Sequence, residues 1–167
     1  MFANEIVSSF PDITEVTFKS INKKYLKVIL INILLFFSVV LIGLFLADYF
    51  SFFNKISSYT YLIYMVFTLV FIITCFITYV GFKKRKYAIR EKDVSYKSGI
   101  FFKKITTVPF SRIQHIEVDE GPVSRFFKLA SLSVFTAGDS SDDLEIKGIT
   151  KIEALEIKEF ITKKINE

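Results

Sequence analysis

Two stretches of this chain run for twenty and twenty-one residues without a single Asp, Glu, Lys or Arg: Val28 to Ala47 and Leu62 to Phe82. A helix rises about 1.5 Å per residue, so each stretch makes a rod about as long as the hydrocarbon core of a bilayer is thick. Sixteen residues of the first and thirteen of the second are Leu, Ile, Val or Phe. Each gains roughly half a kcal/mol on insertion, so neither helix needs a partner to remain in lipid. Whatever else the chain forms must be attached to a transmembrane hairpin.

Composition places the rest. A hydrophobic share of 51% and a mean hydropathy of +0.43 exceed what a soluble domain of 167 residues needs, and the excess lies in the first half. Three parts result: residues 1–27 as an N-terminal segment, 28–82 as the hairpin, and 83–167 as one small domain with its own core. Cys75 is the single cysteine and lies inside the second span, which excludes a disulfide framework or a thiol metal site.

The segment before the first span carries Glu5, Asp12 and Glu15, unlike the basic start of a signal peptide. Phe18, Ile21, Tyr25 and Val28 then follow helical spacing, with Lys19, Lys23 and Lys27 on another side. A short interfacial helix is expected there, with a basic flank lacking structure as the alternative. Lys19, Lys23, Lys24 and Lys27 precede the first span and Lys83, Lys84, Arg85 and Lys86 follow the second, whereas the connection has only Asp48 and Lys55. Short loops rich in Lys and Arg stay on the cytoplasmic side, so a multi-pass protein of a bacterial inner membrane with both termini cytoplasmic is expected.

The connection also holds Tyr49, Phe50, Phe52, Phe53, Tyr59 and Tyr61, an aromatic belt at headgroup level. Within the spans the polar groups are Asn32, Ser38, Thr68, Thr74 and Thr78. Ion and proton pathways use intramembrane carboxylates, histidines or basic residues, so transport by this chain alone is not expected. The polar groups read as contacts between the two helices or between copies in a homo-oligomer.

Lys83 to Lys86 are candidate headgroup contacts, worth about 1 kcal/mol per basic residue near an anionic leaflet. A nucleic-acid patch is the competing interpretation. It loses because these residues border the bilayer, while residues 83–167 mix 17 Lys or Arg with 13 Asp or Glu. Beyond them come short segments of strand character: Tyr87 to Arg90, Asp93 to Ser98, Ile105 to Phe110, His115 to Asp119 and Leu132 to Ala137. Turn signals separate them at Glu120 to Pro122, Gly138 to Asp143, and Lys147 and Gly148. Five to seven strands in sixty residues predict an antiparallel meander. Thr150 and Glu153 predict a capping box opening a last helix, whose Ala154, Leu155, Ile157, Phe160, Ile161 and Ile165 must be buried on one side.

The stretch from Tyr87 to Ile165 resembles the bacterial pleckstrin-homology (PH) domain of the YdbS-like, membrane-flanked type. The resemblance rests on the order of YAIREKDVSYKSGIFFKKITTVPFSRIQHIEV, then Ser-Arg-Phe-Phe, then LSVFTAG, then Gly-Ile before a final helix. Gly99 falls at the family's Gly-Ile turn, Pro109 with Arg112, Ile113 and Gln114 at its proline and Arg-Ile-Gln, and Thr136 to Gly138 at its Thr-Ala-Gly. It implies a membrane protein of α + β class, with two nearly orthogonal antiparallel sheets forming a partly open barrel capped by the C-terminal helix. It implies no reaction and no cofactor, and at most a role in envelope maintenance or stress. Lys128 departs from the family, which often has Gly in that segment; a turn needing positive φ fits Lys poorly.

Catalytic and metal interpretations fall short. His115 is the only histidine and has no companions for a relay or a metal. The run GDSSDDLE, with Asp139, Asp142, Asp143 and Glu145, lacks the twelve-residue calcium-loop spacing and reads as a solvated hairpin tip. Ser111, Ser124 and Ser133 lack a nucleophile-elbow context. Arg112 and Gln114 are either a recognition pair or satisfy backbone groups at a strand junction. A non-enzymatic module that binds a membrane or cytoplasmic protein, or itself, is the preferred function; anionic-lipid sensing through Lys83 to Lys86, Lys97, Lys103 and Lys104, or an accessory role to a transporter or enzyme, is the alternative.

Overall fold

The computed structural model describes residues 16–50, 59–138 and 143–166. Helices α1 (Lys24–Tyr49) and α2 (Thr60–Phe82) both run past the apolar stretches and are long and apolar enough to cross a bilayer. Phe36, Val39, Phe45 and Phe76 are exposed on the helix surfaces, as suits a lipid solvent. The two helices form a hairpin and meet through Phe37, whose ring lies 5.4 Å from that of Phe67 and 5.1 Å from that of Phe71. Ser38, Thr68 and Thr74 lie within the spans, where contacts between the two helices or between copies are expected of them. Their hydroxyls donate to carbonyls of their own helix, at Leu35, Tyr64 and Val70, because these acceptors are within reach and hydrocarbon offers no others. Of the aromatic connection, Phe52, Phe53 and Lys55 lie outside the described residues, as do Glu5, Asp12 and Glu15 of the N-terminal segment.

The expected interfacial helix from Phe18 is replaced at its start by a strand. Strand β1 (Lys19–Ser20) pairs antiparallel with β2 (Lys86–Ile89), Lys19 opposite Tyr87 and Ser20 opposite Lys86. Helix α1 begins only at Lys24, whose N–H donates to Asn22 Oδ1 at 2.9 Å. The edge of β2 offers unpaired backbone groups and the core offers Ile21 a buried seat, and together these outweigh a helical spacing that has nothing to pack on. The consequence is topological. Residues just before α1 and just after α2 are hydrogen-bonded neighbours, so both ends of the hairpin open on the same side.

The domain consists of two antiparallel sheets. The first has the order β1–β2–β3–β4, adding β3 (Asp93–Ser98) and β4 (Lys104–Pro109). A 3₁₀ turn over Phe110–Arg112 leads into the second, made of β5 (Ile113–Asp119), β6 (Leu129–Thr136) and β7 (Leu144–Thr150). Along β6 the alternation Ala130, Leu132, Val134, Thr136 faces inward. Val94, Val108, Leu132, Ile146 and Ile149 join Ala154 and Ile161 of α4 (Lys151–Asn166) in one core. The arrangement is PH-like, a small barrel capped by its last helix. That helix buries a narrower stripe than expected: Ala154 and Ile161 are enclosed and Ile157 packs beside them, while Leu155, Phe160 and Ile165 remain exposed.

Two turn signals prove to lie inside elements. Gly121 and Pro122 open a short helix, α3 (Pro122–Phe126), with Pro at its first position, where a missing N–H costs nothing. Lys147 and Gly148 lie within β7, beside a register shift at Ala130 and Ser131 of β6. Gly148 is required there by φ +81° and by Tyr25 of α1, whose ring would lie 2.3 Å from an added Cβ. Lys128 takes φ 57°, the left-handed conformation in which the family's Gly is at home.

The helix start at Thr150 is half the expected box. Glu153 N–H donates to Thr150 Oγ1 at 3.3 Å, but the Glu153 carboxylate accepts from Lys19 Nζ at 2.6 Å and from the Tyr87 hydroxyl instead. Three segments, β1, β2 and α4, are thereby tied at one oxygen. Burial pushes the Glu153 carboxyl up, yet the Lys19 and Tyr87 hydrogen bonds and the Lys19 charge outweigh it, leaving the group below its usual value. Burial and the same bond raise the Tyr87 hydroxyl.

Candidate functional site

Strand β4 ends its sheet, with β3 on one side and no strand of the described residues on the other. Pro109 closes it, since a fixed φ and a missing N–H cannot extend a ladder. Phe110 then turns into the core, its N–H donating to Lys92 O at 2.9 Å. The outer edge of β4, from Lys104 to Pro109, faces a groove of about 320 Å³ whose far wall carries Arg112 and Thr136. Arg112 is exposed at the groove's lip, and its carbonyl accepts from Ala137 N–H at 3.0 Å, fixing the turn to the end of β6. Thr136 N–H donates to Asp143 Oδ1 at 2.9 Å. Its hydroxyl is buried and has no partner among the described residues, the kind of unmet demand that a ligand can satisfy.

An open edge presents the outward N–H and C=O groups of alternate residues at strand spacing. Together with the exposed Arg112 and the buried Thr136 hydroxyl, it offers main-chain hydrogen-bonding groups, a positive charge and a polar atom without a partner among the described residues.

The family-motif residues divide among three places. Pro109, Arg112 and Thr136 meet in the groove. Ile113 is buried behind it, Gln114 is exposed at a bulge in β5, and Gly138 is exposed just beyond β6. Gly99 opens the turn from β3 to β4, with φ +105° and with Phe102 O only 1.8 Å from where a Cβ would stand. The four basic residues divide as well. Lys83 and Lys84 are exposed, Lys83 Nζ lying 4.4 Å from the centre of the Tyr79 ring. Arg85 and Lys86 are partly buried, Lys86 in β2 and Arg85 near Tyr96, whose hydroxyl burial raises and the Arg85 charge lowers, with burial prevailing.

The remaining candidates have local uses. His115 stacks on Phe135 with ring centres 4.3 Å apart, and its Nε2 lies 3.7 Å from Glu117 Oε1. Asp143 serves Thr136, and Glu145 pairs with Lys147 at 2.8 Å; Asp139 and Asp142 lie outside the described residues. Sequence reasoning reached Thr136 only through the family motif and gave no sign of its unpartnered hydroxyl. Nothing in the sequence marked this edge as open, and the β-branched run was expected to continue through Pro109 to Phe110.

Residues 26–165 match the family described as the bacterial PH domain. The chain belongs to this family. A 67-residue segment is 34% identical to the UPF0699 transmembrane protein YdbS of Bacillus subtilis (strain 168), covering 40% of this chain. That match spans 42% of the relative's own length. A crystal structure of a DUF1696 family protein with a pleckstrin-homology domain, from Shewanella loihica PV-4, is 21% identical with a TM-score of 0.37, over 48% of this chain and 70% of that one. The chain is thus a membrane-associated bacterial PH domain protein, built as a two-helix hairpin rooted in its PH-like domain.

Proposed function

We propose that this protein is a non-enzymatic anchor of a bacterial inner membrane whose PH-like domain, on the cytoplasmic side with both termini, takes up an extended segment of a partner protein along β4. The observation that carries the proposal is the groove itself: a free sheet edge facing a buried, unpartnered Thr136 hydroxyl and Arg112. Strand addition draws affinity from main-chain hydrogen bonds and selectivity from flanking side chains, and here Arg112 favours an acidic segment. The cytoplasmic orientation is supported by the lysines before α1 and after α2, which β1–β2 pairing holds on one side.

A photo-crosslinking residue at Ile105 of β4, in the full chain in its native membrane, tests this. One partner should be captured from Ile105 and not from Glu156 on the exposed side of α4, and Arg112→Glu should abolish the adduct. Capture of copies of this chain alone would make the partner a second copy. Adducts to lipid alone would favour lipid sensing instead, and adducts unaffected by Arg112→Glu would refute recognition in the groove.

A further inference from the structure

The turn from β3 to β4 carries adjacent Phe101 and Phe102, which are 84% and 91% exposed. Two neighbouring phenyl rings offered wholly to water would be a liability for a soluble domain. This turn, however, does not project into open space. Its Ile100 packs on Gly81 of α2, where an added Cβ would stand 3.0 Å from Ile100 Cδ1. Ile77, Thr78 and Gly81 of α2, with Arg85 beyond it, join the turn in lining one concavity of about 470 Å³. The turn is therefore fixed against the last turns of a transmembrane helix.

Depth follows from helix geometry. The exposed Lys83 marks headgroup level, and Gly81 and Ile77 lie about 3 and 9 Å from it toward the hydrocarbon at 1.5 Å per residue. Apolar groups at an interface enter the headgroup and acyl boundary to about 5–10 Å. Rings held beside Ile77 to Gly81 are at that depth. Lys103 and Lys104, both exposed, follow the rings directly and suit lipid phosphates on the way out.

We propose that the β3–β4 turn is a membrane wedge that inserts Phe101 and Phe102 into the leaflet beside α2. The occupant is lipid, because the helix against which the turn is fixed itself stands in the bilayer. The wedge gives the domain a third point of attachment, off the axis of the hairpin, and so sets its tilt. Strand β4 leaves the wedge at Lys104 and ends at Pro109, so the groove is held leading away from the membrane surface. This inference is independent of what β4 binds.

The chain contains no tryptophan, so Phe102→Trp installs a single indole. In full-length protein reconstituted into phosphatidylethanolamine and phosphatidylglycerol vesicles, its emission should lie to the blue of that from Glu91→Trp, placed in the β2–β3 turn at the other end of β3. It should also lose most of its intensity when the acyl chains carry bromine. Emission matching Glu91→Trp, or a blue shift that bromolipid does not quench, would overturn the wedge, the second because the ring would then be covered by protein. Phe101→Trp repeats the measurement should Phe102→Trp fail to reproduce the circular dichroism of the parent chain.

Discussion

The hairpin and the domain use the same residue types under opposite rules. In the hairpin, large apolar side chains face outward, the hydroxyls of Ser38, Thr68 and Thr74 are satisfied within their own turns, and the helices meet through a few rings around Phe37. In the domain, apolar side chains converge on one core, and polar ones join segments far apart in sequence, as Lys19 and Tyr87 do at Glu153. The difference lies in the solvent. Lipid accepts apolar surface but no backbone group, whereas water accepts backbone groups but expels apolar surface. A substitution should therefore have an effect set by the region that holds it.

The largest contrast is truncation of a big apolar residue. Leu132, fully enclosed in β6, should cost about 2–5 kcal/mol as Leu132→Ala. Phe36→Ala, on a lipid-facing side chain, should leave unfolding of the domain unchanged. Urea unfolding of the full chain in nanodiscs, followed by near-ultraviolet circular dichroism, measures both. Equal losses would mean that α1 is covered by protein and that the two-solvent contrast is wrong.

Glycine to alanine gives the next contrast. Gly148→Ala combines a strained φ with a collision against Tyr25 and should cost about 2–4 kcal/mol. Gly43→Ala in α1 meets nothing within 4 Å and should be neutral or gain up to about 1 kcal/mol of helix stability. The same assay reads the first, and resistance of α1 to thermal unfolding in micelles reads the second. A mild Gly148→Ala would show that Tyr25 does not seat the hairpin on β7.

These contrasts also explain what could be read from the chain. Apolar runs report local chemistry, so both spans were legible, and so were Asp93 to Ser98 and the Thr150 start of the last helix. Family order supplied the two-sheet arrangement and the positions that meet at the groove. What was not legible depends on a distant neighbour. Lys19 and Ser20 look helical until β2 is present, and Gly148 looks like a turn until Tyr25 crosses it. Glu153 looks like half of a capping box until Lys19 and Tyr87 arrive. At the groove, the β-branched run from Ile105 was legible as a strand, but its end at Pro109 was not, and the unpartnered Thr136 hydroxyl arises from burial between segments and leaves no trace in local sequence.

The Glu153 tie is next in size. Removing its charge as Glu153→Gln should cost about 1–2 kcal/mol, because the partly exposed Lys19 pair is weak and the Tyr87 bond carries most of the effect. Its folded pKa is depressed, so the contribution is complete above the ordinary carboxylate range and is lost as pH falls through the lower folded value. The parent should therefore lose more stability than Glu153→Gln between neutral and strongly acidic pH. Parallel curves would mean that the three-segment tie is not formed in solution.

The smallest expected effect has the opposite sign. Lys128 holds φ 57° just after α3, and its carbonyl accepts from Lys151 N–H at 3.2 Å, so the turn cannot relax without releasing the start of α4. A side chain in this conformation costs about 1 kcal/mol that glycine avoids, less the extra freedom glycine has in the unfolded chain. Lys128→Gly should thus stabilise the domain by a few tenths to about 1 kcal/mol, while Lys128→Ala should change little, since it keeps the strain. A destabilising glycine would place the value of this lysine in its side chain, beside Arg125 and Lys151 along the groove near the foot of α1. The strain would then be retained in exchange for the positive charge that Lys128 adds to this groove, where Glu120 already pairs with Lys151 at 2.6 Å.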